Sequence, residues 1–162
     1  LPWDLEESVV TPLGSLAAVA FFKHKHDAES LQRAQAALDE GRQISRELRE
    51  LVVEAETIFR NAPVEDAKQK ILGMLSKYPA YQSMFERQIR GQHPATVLEA
   101  KLSHDLAYFR FFDAIVTLAG EGLALDSLIA ELKSLPQNAT PETAEKFLHG
   151  LDSKYSAINA IK

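Results

Sequence analysis

The sequence predicts an all-α protein: an elongated, antiparallel helical bundle of six to seven helices, forming one domain over residues 1–162. Three observations carry this. Residues 27–60 run for 34 positions without a proline, and their apolar residues keep a seven-residue register throughout. Residues 94–119 form a second long stretch with a wide apolar arc. No alternating apolar and polar run is long enough for a sheet, and the chain has neither an internal repeat nor a low-complexity tract.

In the first stretch, alternate steps of three and four from Leu31 land on Ala34, Leu38, Gly41, Ser45, Leu48, Val52, Ala55 and Phe59. Ala37, Ile44, Leu51 and Ile58 form a flanking row, so the apolar residues make one stripe on one helix. The opposite face, Glu47 included, is polar apart from Val53. At 1.5 Å per residue this helix is about 50 Å long, against a radius of gyration of about 15 Å for a compact chain of this size. An elongated shape follows. Asp27 is a suitable N-cap. Gly41 admits a C-cap there, but the register continues unbroken on both sides, which favours one bent helix.

The remaining elements follow in order. Residues 1–10 read as a lead-in with a helical turn that ends near Pro12. Residues 13–22 are apolar on every side and Ala-rich, which predicts a short helix at the centre of the fold, wrapped by the others. Pro63 suits the start of the next helix, whose face is Val64, Ala67, Ile71, Leu72 and Leu75. Tyr78 before Pro79 forces a break, and a fresh short helix carries Tyr81, Met84, Phe85 and Ile89 before stopping at Gly91.

Pro94 opens the second long helix, whose arc holds Leu98, Leu102, Leu106, Phe109, Phe112 and Val116. It is the natural partner of the first. Gly120 and Gly122 end it, and a further helix lies within 123–135, repeating Leu125, Leu128, Ile129, Leu132 and Leu135. Thr140 followed by Pro141 starts the last helix, which aligns Ala144, Phe147, Leu148, Leu151, Tyr155 and Ile158 and runs nearly to Lys162.

The formal net charge of −5 comes from interspersed acids and bases without a basic block, which disfavours nucleic-acid binding. There is no cysteine, excluding disulfides, thiolate metal sites and cysteine nucleophiles. The longest charge-free run, 8–22, contains Pro12 and falls short of the roughly 20 residues of a membrane span. Neither a transmembrane segment nor interfacial membrane contact through 13–22 is expected. Starting at Leu1, the chain reads as either a processed mature secreted or periplasmic protein or an excised piece of a longer one; the compartment is left open.

Asp105 projects into the middle of the second apolar arc, and Asp113 lies at its edge. A carboxylate there must pair or take up a proton, and Lys101 one turn back is the nearest candidate partner for Asp105. His24, His26 and Asp27 resemble a metal-binding tract on extended backbone, yet nothing nearby supplies a third or fourth donor at a recognisable spacing. Tyr108, Phe109, Phe111 and Phe112 suit a core, or the lining of a pocket between helices. Asn138-Ala139-Thr140 matches a glycosylation acceptor weakened by Pro141.

Phosphate-binding loops and nucleophile elbows are missing. The reading is therefore a non-enzymatic protein–protein interaction module of the adaptor, chaperone, sensor or effector kind, without a cofactor or metal. It binds a protein partner through a helix face or groove. The expected surface is Arg42, Arg46, Arg49 and Val53 on the first long helix, or the Phe111 and Leu118 side of the second. Two alternatives stand beside it: a bundle holding a small apolar ligand or lipid near Phe109 and Phe112, and a metal-dependent enzyme using His24 and His26. The seven-residue register suits an intramolecular bundle or a homodimer equally.

Overall fold

The computed structural model describes residues 1–120 and 123–159. The expectations for Gly122, for the side chain of Ile158 and for an ending near Lys162 lie outside the described residues. Among them there is no strand, and the fold is an all-α bundle.

The first helix, α1 (Trp3–Lys25), is one continuous element. This corrects the expected break near Pro12. The proline costs a mid-helix backbone hydrogen bond, but its ring is buried and packing carries the helix through it. Ser8, wholly buried, donates its hydroxyl to the Ala107 carbonyl at 2.7 Å and so ties α1 to α5 (Pro94–Phe109).

At the C-terminus of α1, His26 adopts the left-handed conformation (φ 56°). The His26 and Asp27 amides donate to the Lys23 and Phe22 carbonyls, closing the helix with the double bond of a Schellman motif. Asp27 then caps α2 (Ala28–Asn61), accepting from the Ser30 amide at 3.0 Å. Two residues therefore reverse the chain.

Helix α2 is unbroken through Gly41, as the register requires. A Cβ at that position would lie 2.6 Å from the Phe112 ring, so glycine is there to let the ring approach the backbone. The predicted stripe is buried from Gly41 to Ala55 except at Val52, which is half-buried. Leu48 and Leu51 are fully sealed.

After α2 come α3 (Val64–Met74), a 3-10 turn (Leu75–Lys77) and α4 (Pro79–Ile89). Tyr78 is non-helical before Pro79, and α4 stops where Arg90 and Gly91 take positive φ.

The second long helix is not one rod. Residues 94–119 divide into α5 and α6 (Phe112–Gly120), with Arg110 and Phe111 outside both. Ser45 of α2 occupies the break: its hydroxyl donates to the Phe109 carbonyl at 2.6 Å and accepts from the Asp113 amide at 3.2 Å. The groups freed by the interruption are thus satisfied from another helix. The interruption also lets neighbouring aromatics serve different cores. Phe111 joins a cluster with Leu5, Val9, Ile115, Leu118 and residues of α7 (Leu125–Leu132) and α8 (Pro141–Asn159). Phe109 packs against the other, built from α2, α3, α4 and α5.

The apolar segment 13–22 is not central. No residue from Leu13 to Glu40 is buried. Helix α1 packs on α2, α5, α6 and α7, and of the 13–22 segment Leu13 and Leu16 reach the first core, where they are only half-buried. Uniform apolarity predicted burial, but only one face of α1 finds a partner.

Candidate protein-interaction surface

Arg42, Arg46, Arg49 and Val53 follow at steps of four, three and four along α2, a single row on a helix. The row faces α6 and α8. Arg42 donates through Nε to Asp113 Oδ1 at 2.8 Å and through Nη2 to Thr117 Oγ1 at 3.2 Å. Arg46 grips the same carboxylate with two bonds of 2.9 and 2.8 Å, the bidentate geometry that suits a guanidinium. Burial works to raise the Asp113 carboxyl, but the bonds and charges of Arg46 and Arg42 outweigh it and hold it below the usual carboxylate range. Arg49 pairs with Glu145 of α8.

Val53, one turn further on, has no such neighbour and is 67% exposed, the most exposed large apolar side chain among the described residues. It lies in a shallow groove with Arg46, Arg49, Glu50 and Glu54. Beyond Arg49 the groove deepens into a cleft of about 220 Å³ between α2, α6 and α8, floored by Phe111, Leu118 and Leu148. The surface is therefore an exposed apolar residue, a row of paired charges and an apolar-floored cleft.

The alternative surface does not exist as expected. Phe111 is 2% exposed and Leu118 1%, because the break between α5 and α6 turns Phe111 inward.

Asp105 is where the sequence places it, buried in the second core at 2% exposure. It pairs with Lys101, accepts from the Tyr81 hydroxyl at 3.0 Å, and has His104 Nδ1 at 3.2 Å. Burial first, and then the Asp105 charge, push the Tyr81 hydroxyl far above its ordinary value, so that it remains a donor.

The expected extended backbone at His24 and His26 is corrected. His24 is helical, His26 is the left-handed cap, and among the described residues no group of three histidine or acidic side chains is placed to hold a metal ion.

Two residues escaped the sequence reading. Ser45 appeared only as a small member of the stripe. Glu47 was assigned to the outward face, yet it is buried, accepting from the Tyr81 amide at 2.8 Å and from Gln43 Nε2 at 2.9 Å. Its position between Ile44 and Leu51 on the flanking row was the available signal, since i, i+3 and i+7 share a face.

No family model, curated protein or solved structure matches this chain.

Proposed function

We propose that this chain is a non-enzymatic helical protein–protein interaction module of the adaptor, chaperone, sensor or effector kind, which binds its partner along the Val53 row of α2. The observation that carries the reading is the 67% exposure of Val53 beside charges already paired within the fold. An apolar anchor beside Arg46, Arg49 and Glu54, each already paired within the fold, suits the apolar face of an amphipathic helix from a partner, with the rim excluding competitors whose charges do not match. The test is quantitative affinity capture from the native source with the wild-type chain, Val53→Asp and the double variant Arg46→Ala/Arg49→Ala. A partner retained by the wild type and lost from Val53→Asp supports the reading. Equal capture by every variant rejects it.

A second reading has its own observation: a crevice of about 280 Å³ beside Phe109 and Phe112, also lined by Ile44 and Met84. It is close to the roughly 300 Å³ at which small-molecule sites begin. Under that reading an apolar ligand co-purifies, and native mass spectrometry that finds only the bare polypeptide removes it.

A further inference from the structure

Helix α1 is apolar on two opposite faces. One carries Leu5, Val9 and Pro12, all buried, with Leu16 and Val19 continuing the row half-buried. The other runs through Trp3, Glu7, Val10, Gly14, Ala17 and Phe21 in alternate steps of four and three, the spacing of a straight helix–helix seam. It is largely open to solvent: Trp3, edge-on to Tyr108, is 57% exposed, Val10 54%, and Phe21, with the Lys25 ammonium over its ring, 54%. Half of the large apolar side chains exposed on the described protein therefore lie on one line of one helix.

The charges on this helix are divided between its ends. Asp4, Glu6 and Glu7 lie in the first two turns, Lys23 and Lys25 in the last, and no charged residue lies between 8 and 22. Glu7 lies in the uncovered seam itself, and Glu6 and Lys25 flank it. The midpoint between the acidic and the basic ends falls at Gly14 and Ser15, and Gly14 has nothing within 4 Å of where a Cβ would stand.

We infer that the outer face of α1 pairs with the same face of a second copy of this chain, antiparallel about a two-fold axis near Gly14. Reversal sets the acidic end of each helix beside the basic end of the other, whereas a parallel pair sets like against like. It brings Trp3 of each copy level with the Lys25–His26 end of the other, where Lys25, already over the Phe21 ring of its own chain, meets a second aromatic side chain. It also seats Phe21 of each between Glu7 and Val10 of the other. Gly14 and Ala17 at the centre let the helices approach closely. This is the self-complementarity that an isologous interface demands. A bilayer with anionic headgroups fits less well, because Glu7 in the seam and Glu6 beside it would be repelled.

The seam is about 30 Å long and about 10 Å wide, well below the roughly 800 Å² per partner of a standard interface. The dimer is consequently one that dissociates on dilution. This face is separate from the Val53 row, so either can fail without the other.

Sedimentation equilibrium from low concentration to about 1 mM tests the inference. The mass is expected to rise from 18.0 kDa toward twice that value, with weaker association in high salt. Val10→Asp abolishes the rise. Lys23→Glu/Lys25→Glu and Glu6→Lys/Glu7→Lys are each monomeric alone, and their equimolar mixture associates again because both ends are then complementary. Circular dichroism verifies that each variant is folded. A wild type that stays at 18.0 kDa throughout, or a mixture of the two charge variants that fails to associate, overturns the inference. So does a monomer that instead binds vesicles of phosphatidylcholine and phosphatidylserine through Phe21, which assigns the face to lipid.

Discussion

Tyr81 donates its hydroxyl to Asp105 across 3.0 Å, joining α4 to α5 inside a core where both side chains are sealed from water. Lys101 supplies the compensating charge. Tyr81→Phe leaves a buried carboxylate one donor short, and a hydrogen bond to a charged group is worth about 1.5–3 kcal/mol. Asp105→Ala strands the tyrosine hydroxyl and is expected to cost about 3 kcal/mol or more. Because the two share one bond, the double variant Tyr81→Phe/Asp105→Ala should lose less than the sum. Urea unfolding midpoints of the three variants give this coupling directly.

Glu47 acts at a distance as a helix cap. Its carboxylate takes the amide of Tyr81 in the first turn of α4, one of the donors that a helix start leaves unpaired. Glu47→Ala should lower stability by about 1–3 kcal/mol, and Glu47→Gln, which keeps an acceptor oxygen, should lose less. Thermal unfolding of the pair checks the order.

Gly41 sets two opposing terms against each other. Alanine is the better helix former by about 1 kcal/mol, but its methyl overlaps the buried Phe112 ring. Overpacking of this kind costs about 1–3 kcal/mol. Gly41→Ala is expected to destabilise the wild type by about 1 kcal/mol net and to stabilise a Phe112→Leu background by a similar amount. Identical effects in the two backgrounds would show that the ring is not the reason for the glycine.

Acid and alkali act on different helix pairs. The folded Asp113 carboxyl lies below its ordinary value, so its contribution is complete above about pH 4 and is lost as pH falls through the folded value. Arg42→Ala/Arg46→Ala removes that part of the acid limb. Tyr78 is the reverse case. Burial first, and then its bond to Glu54, raise it to about 12. Its contribution is complete below about pH 10 and is lost as pH rises toward the folded value, so Tyr78→Phe should flatten the alkaline limb. Chemical denaturation across pH measures both.

Much of this fold was legible because its signals are local. The α2 register predicted the burial of Ile44, Leu48, Leu51 and Ala55, and Pro79, Pro94 and Pro141 marked helix starts. The Lys101 partner of Asp105 was readable as an i, i+4 pair. What was not legible depends on contacts between distant segments. Nothing at Arg110 and Phe111 signals a break, since the hydroxyl that satisfies it belongs to Ser45, 64 positions from Phe109. Phe111 was consequently misplaced onto the surface. The segment 13–22 was misjudged for a different reason: hydropathy measures how apolar a helix is, not how many of its faces the rest of the chain can cover.

The uncovered hairpin gives the molecule two thresholds instead of one. Helical backbone between Leu13 and Glu40 has no sealed side chain to anchor it, so opening the joint at His26 and Asp27 disturbs half-buried packing such as that of Leu13 and Leu16 and leaves the sealed side chains of both cores in place. Deuterium should therefore enter these amides long before those around Leu48 or Ile115. Protease cleavage should begin at the same joint and leave the two fragments associated, because Leu5 and Val9 in the first core and Ser8 bonded to Ala107 hold the N-terminal piece in place.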